Sequence, residues 1–114
     1  MGWATQAITR LQAGETALLR PRGHSMAGRV SDGDVVTVTP YGETEPQVGD
    51  VVLVKVKGHE YLHLVKARQG ERYLIGNNRG GINGWVGRNA IFGRAVRIES
   101  PQVHAKRLQR EREK

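Results

Sequence analysis

Apolar side chains follow two rhythms along this chain, and the change between them separates one helix from a set of short strands. Trp3, Ala4, Ala7, Ile8 and Leu11 recur at spacings of one, three and four, the period of a helix with one apolar face, and Gly14 ends it. Thr16 to Arg20 then reads as a strand running into Pro21. Val35, Val36 and Val38 begin a β-branched run that Pro40 closes, the polar stretch from Tyr41 to Gly49 is a loop, and Val51 to Val56 is a second, strongly apolar strand. Lys57-Gly58 predicts a hairpin into Glu60 to Ala67, which sets Leu62 and Leu64 on one face and Tyr61, His63 and Val65 on the other. Gln69-Gly70 turns the chain into Arg72 to Ile75. The Gly/Asn stretch from Gly76 to Gly84 is expected to be a long loop, Ile91 to Ile98 the last strand, and Pro101 the end of the core. Many short strands with one helix predict a mainly β fold, a small partly open barrel.

Composition narrows this picture. A chain of 114 residues with 15 glycines is one domain with a single modest core. The absence of cysteine excludes disulfides, thiolate zinc sites and cysteine nucleophiles. No apolar run reaches the length of a membrane span, and the N-terminus lacks a basic region followed by an apolar one, so the expected protein is soluble and cytoplasmic. A net charge of +7 raises nucleic acid as a partner. Five of the 18 basic residues, however, are Lys106, Arg107, Arg110, Arg112 and Lys114, in a tail that also holds Glu111 and Glu113. Such a run reads as a solvated terminus, so nucleic acid is not the favoured partner.

The chemistry centres on Arg20-Pro21-Arg22-Gly23-His24-Ser25-Met26-Ala27-Gly28, a Gly-punctuated turn ahead of the Asp32-Gly33-Asp34 turn and a strand. A hydroxyl on such a turn is exposed and geometrically fixed, as a nucleophile must be, although most turn serines only bond their own backbone. The stretch resembles the Gly-x-Ser-Met-x-Pro-x-x-x-x-Gly-Asp box of the serine peptidases that include LexA-type self-cleaving repressors and type I signal peptidases. Gly23, Ser25, Met26, Gly33 and Asp34 fall on the box, and Gly28 stands where that family usually has proline. The resemblance continues through Val48-Gly49-Asp50-Val51-Val52, the hairpin, the Gly-Asn loop and Phe92-Gly93-Arg94-Ala95-Val96.

This resemblance implies a peptidase core over residues 1–103, followed by a basic tail over 104–114. It implies Ser25 as nucleophile, with its own backbone N–H in the oxyanion hole, a protein or peptide substrate, and no cofactor or metal. The family's general base lies on the strand after the hairpin, usually lysine and sometimes histidine, and that position falls on His63. Lys66 is the rival base, but strand alternation puts it on the opposite face unless a bulge intervenes. An orienting aspartate is missing, since none follows Asp50, so Asn83 or Asn78 is the candidate orienter. Cleavage of the chain's own Ala13-Gly14 bond would need a very short tether, which favours action on another chain.

Two other readings compete. A non-catalytic relative would keep the fold as a peptide- or nucleic-acid-binding module. His59-Glu60-Tyr61-Leu62-His63 also satisfies His-Glu-x-x-His, the zinc peptidase pattern. That pattern needs a helix, whereas this segment alternates as a strand. Strand positions four apart stand about 13 Å apart at about 3.3 Å per residue, too far to share one metal.

Overall fold

The computed structural model describes residues 2–113. Helix α1 (Thr5–Gln12) turns Ala7, Ile8 and Leu11 inward, with Ala4 just ahead of it also buried. Ala4 occupies the N-cap and has no side-chain oxygen to offer, so the opening turn takes its acceptor from elsewhere. Glu60 supplies it: Ala4 N–H donates to Oε1 at 2.7 Å and Thr5 Oγ1 to Oε2 at 3.0 Å. Trp3, expected on the apolar face of the helix, is instead 52% exposed. It precedes the helix, and its indole N–H donates to the Glu60 carbonyl at 3.0 Å.

The strands are β1 (Ala17–Leu19), β2 (Val35–Thr39), β3 (Val51–Val56), β4 (His59–Gln69), β5 (Arg72–Gly76), β6 (Ile82–Gly87) and β7 (Ile91–Glu99). They form one antiparallel sheet in the order β1-β2-β7-β3-β4-β5-β6, curled into a half-barrel. The curl brings β6 back towards β3, three places away in the sheet, where a Cβ on Gly84 would stand 3.7 Å from Val56 Cγ1. Alternation along β3 feeds two apolar clusters, one per face. Val51 and Leu53 join α1, Met26 and Val30, while Val52, Val54 and Val56 join Val65, Tyr73 and Ile75. Lys57 (φ 51°) and Gly58 (φ 83°) both lie in the left-handed region, as a two-residue type I′ hairpin requires.

Two segments depart from expectation. The Gly/Asn stretch is not a long loop, because Ile82–Gly87 pairs with β5 as the edge strand β6. An edge strand buries little, and here Ile82 and Trp85 are exposed while Val86 alone is buried, so no alternation marks it. The segment expected as a solvated basic tail is helical: α2 spans Pro101–Arg112. Ser100 Oγ accepts from Val103 N–H at 3.2 Å, Pro101 takes the first turn, and the helix is fastened to β7 through Glu99. The buried His104 ring lies 3.1 Å from the Glu99 carboxylate, and Arg107 Nε donates to the same carboxylate at 2.9 and 3.1 Å. Neither helix is long and apolar enough to cross a membrane among the described residues.

Candidate active site

Ser25 sits on a turn that joins β1 to β2, exposed above a buried Met26. Backbone–carboxylate bonds brace this excursion. Gly23 N–H donates to Asp32 Oδ1 at 2.7 Å, Ser31 N–H to Asp34 Oδ2 at 2.8 Å, and Val30 N–H to the Met26 carbonyl at 2.8 Å. Gly28 lies at φ 93°, a conformation closed to proline, whose ring holds φ near about −65°. The turn therefore follows a course that the proline usual at this place could not take. Among the described residues no acceptor takes the Ser25 N–H, which leaves it free to bind an incoming oxygen.

The loop between β5 and β6 clamps the turn from outside. Asn78 N–H donates to the Ser25 carbonyl at 3.0 Å, and Asn78 Nδ2 donates to the Ala27 carbonyl at 2.7 Å. Asn78 thus holds the backbone of the turn and does not touch His63, which corrects its expected place as an orienter. Asn77 shapes the loop itself, its Oδ1 accepting from Arg79 and Gly81 N–H at 2.8 Å each.

His63 lies midway along β4, 7% exposed, with Tyr61 stacked on it at 4.8 Å between ring centroids and 28° between planes. Its Nε2 is 3.1 Å from Ser25 Oγ, and its Nδ1 is 2.7 Å from Oδ1 of Asn83 on β6. A carbonyl oxygen only accepts, so Nδ1 carries the proton and Nε2 turns its lone pair to the hydroxyl. Burial pushes the imidazole pKa below its ordinary 6.5, and the Asn83 bond offsets part of that shift. The ring is therefore neutral near pH 7 and able to take a proton.

Lys66 does sit at a bulge, since the β4–β5 register passes from Val65–Ile75 to Ala67–Leu74 and skips it. Its ammonium donates to the Asn77 carbonyl at 3.0 Å, so it supports the clamping loop. The His-Glu-x-x-His segment is strand throughout, and both carboxylate oxygens of Glu60 already cap α1. No cluster of three His, Asp or Glu side chains that could hold a metal occurs among the described residues. His24 is exposed.

Ser25 and His63 open onto a cleft of about 510 Å³. Met26, Val30 and Leu62 form its apolar floor, Trp3 and Tyr61 wall it, and Arg20 and Arg22 line it from the approach to the serine turn. Met26 therefore both fills the space beneath the turn and lines the cleft. Trp3 is the one wall residue that helix periodicity misassigned to the core.

Among curated proteins, none matches the chain. The family model for Peptidase S24-like proteins matches residues 3–96, a span running from the start of α1 into β7 and including every residue of the Ser25, His63 and Asn83 array. The chain belongs to the Peptidase S24-like family.

Proposed function

We propose that this protein is a serine peptidase that hydrolyses a peptide bond of another chain with Ser25 as nucleophile and His63 as general base. The observation that carries the reading is the continuous line from Ser25 Oγ through the His63 ring to Asn83 Oδ1, at 3.1 and 2.7 Å. A catalytic base must be within such reach of the proton that it removes. As Ser25 Oγ bonds to the substrate carbonyl carbon, its proton passes to Nε2 and the carbonyl electrons move onto the oxygen facing the Ser25 N–H. Collapse of this tetrahedral species breaks the C–N bond, and His63 returns the proton to the leaving amine. Water then attacks the acyl-serine by the same route, His63 taking its proton and giving it back to Ser25 Oγ.

Asn83 keeps the proton on Nδ1 and so turns Nε2 to the serine as acceptor, but its neutral amide gives the imidazolium no charge partner. Tyr61 covers one face of the ring against water. Action on another chain is supported by the in-chain Ala13-Gly14 bond, which is folded into the end of α1. Ala13 N–H donates to the Thr9 carbonyl at 3.1 Å and Gly14 N–H to that of Leu11 at 3.0 Å, so the bond is not extended for attack.

A fluorophosphonate probe tests the reading. The native protein should acquire a covalent adduct on Ser25, located by peptide mass mapping, and both Ser25→Ala and His63→Ala should lose it. A folded native protein that never reacts would overturn the peptidase assignment and leave a binding module.

A further inference from the structure

Building on the peptidase reading of Ser25, we propose that the cleft selects peptides bearing an acidic side chain beside the bond to be cut, with Arg20 and Arg22 as the selecting residues. Both arginines line the cleft and both are exposed. The arginine ion pairs among the described residues join Arg10 to Glu15, Arg68 to Glu45, and Arg107 to Glu99 and Glu111, so neither cleft arginine has a carboxylate partner there.

The acids of the cleft and of the serine turn have other partners. Among the described residues Glu60 is the one carboxylate lining the cleft, and its two oxygens accept from Ala4 N–H and Thr5 Oγ1 at the head of α1. Asp32 and Asp34 accept from the Gly23 and Ser31 backbone within the serine turn. The cleft is therefore lined by two arginines without an ion-pair partner among the described residues, against the single carboxylate of Glu60, on a chain of net charge +7, a balance that favours an anionic ligand over a cationic one.

The floor narrows the choice of anion. Met26, Val30 and Leu62 offer hydrocarbon, which suits an apolar side chain rather than a string of phosphates. In an extended peptide successive side chains point to opposite sides, so the residue seated on this floor is flanked by neighbours directed at the rim. The chemistry recognised is thus an apolar residue next to Asp or Glu.

The test uses fluorogenic peptides that differ only in Asp, Asn or Lys at each of the three positions on either side of an apolar centre. The native protein should turn over the best Asp peptide about 1.5- to fivefold faster in kcat/KM than its Asn counterpart at low salt, the range expected of an exposed charge contact, and the gap should close at high salt. In Arg20→Glu/Arg22→Glu the order should invert, Lys peptides overtaking Asp peptides, an inversion that misfolding cannot produce. Equal turnover of Asp and Asn peptides would overturn the proposal while leaving the peptidase reading intact. Binding of the same peptides to Ser25→Ala, followed by fluorescence anisotropy, keeps the two separate. Selective binding of Asp peptides there supports the proposal even where the native protein cuts nothing. An oligothymidylate that binds this cleft more tightly than the best Asp peptide, and loses that binding in the double arginine variant, would overturn it in favour of nucleic acid.

Discussion

Asn83 on the edge strand β6 and His63 on β4, two strands further in, are joined by a single 2.7 Å contact, carbonyl oxygen to Nδ1, and this contact decides which ring nitrogen faces Ser25. Asn83→Ala releases the ring, so either tautomer can form and the productive one is diluted. We expect kcat to fall by about ten- to a hundredfold, within the roughly 10²–10⁴-fold worth of general base catalysis, with KM little changed. Steady-state kinetics on one peptide decides it; an unaltered kcat would remove Asn83 from the machinery.

Asn83→Asp tests the missing charge. A carboxylate beside Nδ1 favours the imidazolium, so the His63 pKa should climb from its depressed position. In the native protein the acid limb of the kcat/KM profile should have its midpoint below 6.5. In the aspartate variant that midpoint should move upward, and coincident profiles would contradict the assignment of His63 as base.

The same ring contributes to stability with a defined sign. Burial lowers its pKa in the folded state, so the unfolded chain binds the proton more readily. The contribution is complete above the unfolded value and declines as pH falls from there through the folded one. Urea titrations of the native protein and His63→Gln should diverge across that window.

Gly93 on β7 has no room for a methyl group: a Cβ there would lie 2.5 Å from the Thr39 carbonyl, 2.9 Å from Val38 Cγ1 and 3.1 Å from Leu11 Cδ2. Two of these neighbours are backbone or sheet core and cannot yield cheaply. Gly93→Ala should cost about 1–3 kcal/mol as an overpacked site, read from urea denaturation.

The fastening of α2 is sensitive to acid. Arg107, first, and then His104 hold the Glu99 carboxyl below its ordinary 4.5, against the opposing effect of desolvation. Its contribution is present above that value and lost as pH falls through the folded pKa. Circular dichroism should show helix content of the native protein falling on acidification through this range, whereas Glu99→Gln, which has no carboxyl to titrate, should start lower at neutral pH and change less.

How much of this was readable beforehand depended on burial. The strands β2, β3 and β4 announce themselves because each puts a β-branched or aliphatic row into a core, β7 shows through its apolar sequence although Val96 and Ile98 stay exposed, and the turn at Ser25 carries its own glycines. Ser25, His63 and Asn83 were all nameable, since a motif, a strand register and the absence of a late aspartate each narrow the choice to one or two positions. What stayed hidden rests on contacts between distant segments. Asn78 and Asn83 are indistinguishable as amides in one stretch, and only the formation of β6 sends Asn83 to the ring and Asn78 to the Ala27 carbonyl. The bulge at Lys66 has no marker of its own in the chain. Helix α2 did have one, Ser100-Pro101, but its polar composition outweighed the cap; a single ionic cluster at Glu99 replaces the apolar face that periodicity looks for.

The indole of Trp3, tied by its N–H to the Glu60 carbonyl and left half in solvent, gives the molecule an optical gauge of its own. A ligand entering the cleft must displace water from that ring, which moves its emission to shorter wavelength. With Trp85, the other tryptophan, replaced by phenylalanine, occupancy could be followed in unlabelled protein, before any bond is broken.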